Sequence, residues 1–193
     1  MAEIEHGTMK GHMGFLEGQL LVASPAMSDP NFARTVVAIA NHDEEGALGI
    51  VLNRPSDTEV VEAVPELEGV VDDEDVVFVG GPVQPASIVV LAEFEDPAEA
   101  AYLVVGGIGL VSDRTGLDRL GVATARRRVF AGYTGWGPGQ LEAELEREDW
   151  IIEPAHPEDV FDEQPAALWA RVLARKGGQF RLLARMPLDP SVN

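Results

Sequence analysis

The feature that most constrains this chain is its division into short apolar runs set off by glycine, proline and acidic turns. Residues 19–23, 35–40, 47–52, 76–79, 87–91, 102–105, 128–133, 150–152 and 180–184 are such runs. Segments of this length, rich in β-branched and small apolar residues, read as strands. The runs at 35–40 and 47–52, joined across the turn His42-Asp43-Glu44-Glu45-Gly46, are close enough to pair as a hairpin. Helical patterning is sparser. Ser56 and Glu59 have the spacing of a capping box, with Val60, Val61 and Val64 following at helical intervals before Pro65 ends the segment. Residues 140–148 put Leu141 and Leu145 on one face. Pro165 opens a last helix that Gly177 closes, with Leu168, Trp169, Val172 and Leu173 as its apolar stripe. Strands interleaved with a few helices predict an α/β (α+β) domain, a mixed sheet covered by three or four helices.

A chain of 193 residues fits one domain. Residues 1–13, with His6, Gly7, Gly11 and His12 and no periodicity, read as a flexible tail, leaving 14–193 as a single domain. The tail carries Glu3 and Glu5 and no apolar core, so it is not a signal peptide. The longest uncharged apolar stretch, residues 100–111, is too short to span a bilayer and is broken by Gly106, Gly107 and Gly109. A cytoplasmic address is the expectation. There is no cysteine, which excludes disulfides, thiolate metal sites and a cysteine nucleophile. The formal charge is −19, and residues 55–113 contain no Lys or Arg but include the run Asp72-Asp73-Glu74-Asp75. Such a surface repels phosphodiester chains and anionic lipid, so neither direct nucleic-acid contact nor membrane binding is expected. Arg126-Arg127-Arg128 is the one basic cluster. It reads either as the outer side of a strand paired with carboxylates or as a holder for a small anion.

Catalytic patterns are thin. No serine sits in a G-x-S-x-G elbow. The histidines at 6, 12, 42 and 156 lack paired ligand spacing, and the 72–75 run lacks the glycine and spacing of a calcium loop, so neither a metal nor a cofactor is expected. His42, ahead of three acidic residues, reads as an exposed turn residue. Gly135-Trp136-Gly137-Pro138-Gly139-Gln140 stands between a strand and a helix, where free N–H groups can cradle an anion. The spacing matches no dinucleotide or phosphate-loop fingerprint, and Glu142 and Glu144 oppose an anion at that helix start, so a tight turn with Trp136 as packing anchor is the alternative. Gly80-Gly81-Pro82 is a second strand-end glycine pair, suited to positive φ or close backbone approach. Asn53-Arg54-Pro55 closes a buried strand, a usual place for binding residues, with Arg54 as either a carboxylate clamp or an anion contact.

Taken in order, GQLLVASP at 18–25, Met27, Asp29-Pro30, Phe32, Arg34-Thr35-Val36-Val37, His42, GALGIVLNRP at 46–55, Gly80-Gly81-Pro82-Val83, GYTGWGPGQLE at 132–142 and Trp150 resemble the AlgH/YqgE family of bacterial proteins. The resemblance covers residues 14–185. It implies a compact fold with a coiled mixed sheet flanked by helices, a bacterial cytosolic origin, and a role connected with regulation. It brings no catalytic residues with it. Relatives often carry a histidine shortly after the Gly-Gly-Pro-Val strand where this chain has Ala92, so a mechanism needing that histidine does not transfer. The functional expectation is a non-enzymatic binding or regulatory protein, a monomer or weak dimer, acting through a protein or small-molecule partner. Its candidate contact residues are Asp29, Arg34, Asn53, Arg54, Gly80, Gly81, Tyr133, Trp136 and Gln140. The alternative is a hydrolase or phosphate-handling enzyme built on His42, Asp29 and Arg34, with the turn at 135–139 as anion cradle. A third possibility is a scaffold whose acidic face, residues 59–99, docks a basic protein.

Overall fold

A computed structural model describes residues 15–111, 120 and 124–186; the tail expected at 1–13 lies outside the described residues. Ten strands form one large, mostly antiparallel sheet: β1 (Gln19–Ala23), β2 (Val36–Asp43), β3 (Gly46–Val51), β4 (Pro55–Glu59), β5 (Val76–Val79), β6 (Val83–Phe94), β7 (Tyr102–Val105), β8 (Ile108–Leu110), β9 (Thr124–Trp136) and β10 (Trp150–Pro154). Among the described residues there are five short helices: α1 (Val60–Ala63), α2 (Gln140–Glu146), α3 (Pro157–Val160), α4 (Pro165–Lys176) and α5 (Phe180–Leu183).

The main strand order is β10-β1-β2-β3-β9-β6-β8-β7, with β5 set beside β9 and β4 beside β5. The long β9 joins the halves. Its end pairs with β3 through Thr134, Gly135 and Trp136, while its earlier part lies between β6 and β5. The β5–β9 pair is parallel, which makes the sheet mixed as expected. The sheet also curls: β7 comes to lie against β2, and Val104, Ile108 and Leu110 share one core with Leu20, Val22, Val36 and Ala38. The predicted stripe of α4 fills this core.

β1 and β2 are buried on both faces, which is why they read as unbroken apolar runs rather than alternating ones. Leu20 and Val22 enter the core under α4, whereas Leu21 and Ala23 join Val37, Ile39, Trp136 and Trp150 on the opposite side beneath α2. A third cluster places Val60, Val64 and Leu67 over Val77, Val90 and Val129.

Two expected elements differ. Residues 55–59 are strand β4 rather than the first turn of a capped helix, and the helix begins only at Val60. The Ser56 hydroxyl donates to the Val77 carbonyl at 2.6 Å instead of capping a helix, because β5 offers an open edge beside it. Residues 180–183 are helical rather than a terminal strand. The edge such a strand would join is already covered. Lys176 and Arg175 donate to the carbonyls of Ile152 and Pro154 on β10, and Gly177 and Gly178, at φ 78° and 54°, turn the chain back onto α4.

Candidate functional site

The nine candidate residues fall into three clusters. The first is a clamp on the loop between β1 and β2. Asn53, just past β3, accepts the Val36 N–H through Oδ1 and donates through Nδ2 to the Arg34 carbonyl. Arg54 donates to the carbonyls of Pro30 and Ala33. Asp29 closes the turn at the other end by accepting the Asn31 N–H. Arg34, at φ 56°, stacks its guanidinium 4.6 Å from the Trp169 ring centroid and donates to the Met186 carbonyl. Arg54 is thus spent on backbone carbonyls rather than on a carboxylate or an anion. The second cluster is a close crossing of backbones. A Cβ on Gly80 would strike the Gly132 carbonyl oxygen and one on Gly81 the Tyr133 carbonyl oxygen, while Gly132 itself adopts φ 71°. Only glycine permits that approach.

The third cluster surrounds α2. Trp136 and Trp150 pack edge to face with centroids 6.0 Å apart, and both indole N–H groups donate to Oε2 of Glu144, at 2.9 and 2.8 Å. Gln140 donates to Glu144 Oε1 and accepts the Gly137 N–H. Gly135 and Trp136 belong to β9, so the glycine-rich segment is a strand end and a tight turn facing carboxylates, not an anion cradle. His42 belongs to the same region and is only 3% exposed, correcting its reading as an exposed turn residue. β2 continues through Asp43, so the turn contains just Glu44 and Glu45. Its Nδ1 accepts the Leu16 N–H at 3.2 Å and its Nε2 lies 2.9 Å from Glu142 Oε1. With both ring nitrogens engaged, the imidazole has no free lone pair with which to take a proton from a nucleophile. Asp29, bound within its own turn, does not join it.

A cleft lies elsewhere. It occupies about 380 Å³ between residues 70–76 and the start of β9. Val76, Phe78, Val129 and Phe161 supply apolar lining, Asp72, Glu74 and Asp75 one wall, and Arg126, Arg127 and Arg128 the other. Beyond Arg126 and Phe161 it continues into a more open groove bordered by Glu158, Asp162 and Glu163. The arginines are largely committed to the protein. Arg126 pairs with Glu93 at 2.7 Å, which holds that carboxyl below the usual range, and stacks on Phe161. Arg128 donates to the carbonyls of Val160 and Asp162 and lies 4.4 Å from the Phe78 ring centroid. Burial pushes its guanidinium down to about 10, with Asp75 acting in the opposite sense. Arg127 reaches the Leu120 carbonyl at 3.3 Å. The acidic wall, by contrast, forms no ion pair among the described residues. Among the described residues no group of three or more His, Asp and Glu is placed to hold a metal, no helix is long and apolar enough to cross a membrane, and no buried side-chain polar atom lacks a partner.

Residues 20–181 match the AlgH-like family. The chain belongs to it. A UPF0301 protein of Streptomyces coelicolor is 44% identical over 184 residues, covering 92% of this chain and 95% of the relative. One from Thermobifida fusca is 40% identical over 198 residues, covering 96% and 100%. The AlgH-like fold is likewise that of the solution structure of the AlgH protein from Pseudomonas aeruginosa, with TM-score 0.71, 30% identity, and coverage of 93% of this chain and 98% of that one. A crystal structure of a Corynebacterium diphtheriae protein superposes with TM-score 0.80 at 29% identity, covering 89% and 92%. In this AlgH-like chain the signature segments build the loop clamp, the glycine crossing and the two-tryptophan cluster. Sequence reasoning missed Glu144 as the shared acceptor and Phe78 and Phe161 as cleft lining. The only sequence signal for Glu144 is its place in the first turns of α2, which marks it as acidic and says nothing of its partners.

Proposed function

We propose that this AlgH-like protein is a non-enzymatic binding protein of the cytoplasm that exerts a regulatory effect through a partner, and that the partner presents a basic, extended segment to the cleft beside residues 70–76. The observation that carries this reading is the imbalance of spare charge. Asp72, Glu74 and Asp75 face the cleft without ion pairs to any described residue, while Arg126 and Arg128 opposite them are already engaged. The apolar strip of Val76, Phe78 and Phe161 gives the hydrocarbon stems of Lys or Arg side chains a surface to lie on, with their charged ends directed to the carboxylates. The continuation of the cleft past Arg126 gives an extended peptide room to run. The same carboxylates disfavour a phosphate backbone, so the regulatory effect runs through this partner and not through DNA contact. In this reading Asp29, Arg34, Asn53, Arg54, Gly80, Gly81, Tyr133, Trp136 and Gln140 are framework: the first four hold the loop between β1 and β2, the next three the crossing of β5 and β9, and the last two the turn into α2.

The test is fluorescence anisotropy with a labelled Lys/Arg-rich peptide. Binding is expected to weaken at least tenfold between about 20 and about 300 mM NaCl. A similar loss is expected when Asp72→Asn and Glu74→Gln are combined. An affinity indifferent to both changes sinks the proposal. A response to a small cation such as spermidine, with none to the peptide, transfers the site to a small-molecule partner.

A further inference from the structure

We propose that His42 is a proton-operated latch that holds the segment around Phe15 and Leu16 against the sheet at neutral pH and lets it go on acidification. The geometry demands a choice. Nδ1 accepts the Leu16 backbone N–H, so it carries no proton, and Nε2 therefore carries the hydrogen that Glu142 accepts. Adding a proton to this imidazole can only place it on Nδ1, where it meets the Leu16 N–H donor to donor. One of the two bonds is lost on protonation, and it is the bond to the N-terminal segment. The bond to Glu142 becomes an ion pair, so α2 stays attached while the segment is released.

The surroundings favour this outcome. His42 is buried, so the surplus Nδ1–H has no ready access to water unless Leu16 moves away. Among the described residues, the charged groups about the ring are Glu142 on α2 and Asp43, the next residue on β2; the carboxyl of Asp43 is held below its usual range chiefly by Asn41 and least of all by His42. Glu17 on the N-terminal segment is exposed. The residues that follow His42 across the sheet, Ala47 on β3 and Trp136 on β9, bring no charge. The segment's other anchors are modest. Phe15 touches the imidazole edge to face at 5.8 Å and is 59% exposed, and Leu16 fills the margin of the core that holds Trp136 and Trp150. Letting go uncovers that margin of the tryptophan core while β1 keeps its pairing with β2 and β10.

Amide hydrogen exchange of the full chain, read residue by residue by NMR from about pH 8 to about pH 5 and corrected for intrinsic rates, tests the latch. Protection of the Leu16 amide is expected to fall by about tenfold or more from the alkaline to the acid end of this range, with the amides of Leu21 and Ala38 unchanged. In His42→Gln the side-chain carbonyl can accept from Leu16 and the amide can donate to Glu142, without titrating, so Leu16 protection should become flat with pH. Flat Leu16 protection in the wild type, an equal loss at Leu21 and Ala38, or the same acid-induced loss in His42→Gln each overturns the proposal.

Discussion

At the scale of single residues, the protein concentrates its polar commitments in a few side chains that each satisfy several partners. Glu144 is the clearest: one carboxylate oxygen takes both indole N–H groups of Trp136 and Trp150, and the other takes Gln140. Replacing Glu144 with Ala strands two indole donors in a core where both tryptophans are largely buried. The expected loss is about 2–4 kcal/mol, read by urea denaturation followed through tryptophan fluorescence. Glu144→Gln keeps an acceptor but turns a donor toward its neighbours, and should fall between. The value of Trp136 as a packing anchor was legible, because a tryptophan in a glycine-rich turn has few other uses. Its partner was not, since Glu144 meets Trp150 only after β9 and β10 have been brought to either side of α2. His42 was misjudged for a related reason. A histidine before acidic residues looks like turn chemistry, and only the length of β2 carries it inside.

At the scale of elements, side chains at the ends of helices decide where strands and helices stop. Asp159 in α3 is 6% exposed; it accepts the His156 N–H and both terminal nitrogens of Arg175 from α4, each at 2.9 Å. It therefore caps one helix and ties it to the next. Asp159→Ala should cost about 2–3 kcal/mol, because the half-buried guanidinium of Arg175 keeps as counter-ion only the longer contact to Glu153, at 3.9 Å, and α3 loses its cap. Thermal unfolding of the variant against wild type checks this, and a change below about 0.5 kcal/mol would place the stability of α3 elsewhere. The last long helix was legible from Pro165 to Gly177 because its apolar stripe, its proline start and its glycine stop agree. Residues 55–59 and 180–183 were misread because local propensity was weak in both. The outcome turned on whether a sheet edge was free, as it was beside β5 and was not beside β10.

At the scale of the whole molecule, charge is the dominant long-range term. With 33 acidic and 14 basic residues the surface repels itself, and among the described residues the exposed carboxylates of residues 57–75 form no ion pair. Raising NaCl from about 10 to about 300 mM should raise the thermal midpoint by several degrees, as screening weakens that repulsion. A midpoint that falls with salt, measured by calorimetry, would mean that the ion pairs of Arg126, Arg171 and Arg175 outweigh it.

The sequence by itself determined the class of fold, the acidic character, the absence of thiol chemistry and most strand positions. These depend on composition and on periodicities that act over a few residues. It also displayed the family's ordered signature, which residues 20–181 bear out. Only the tertiary structure decided that the signature residues make three separate clusters, that His42 is enclosed between Leu16 and Glu142, and that the cleft forms from residues 70–76, β9 and Phe161. Those juxtapositions join positions far apart in the chain. They follow from the curl of the sheet and the crossing at Gly80, Gly81 and Gly132, where backbones approach as closely as sterics permit.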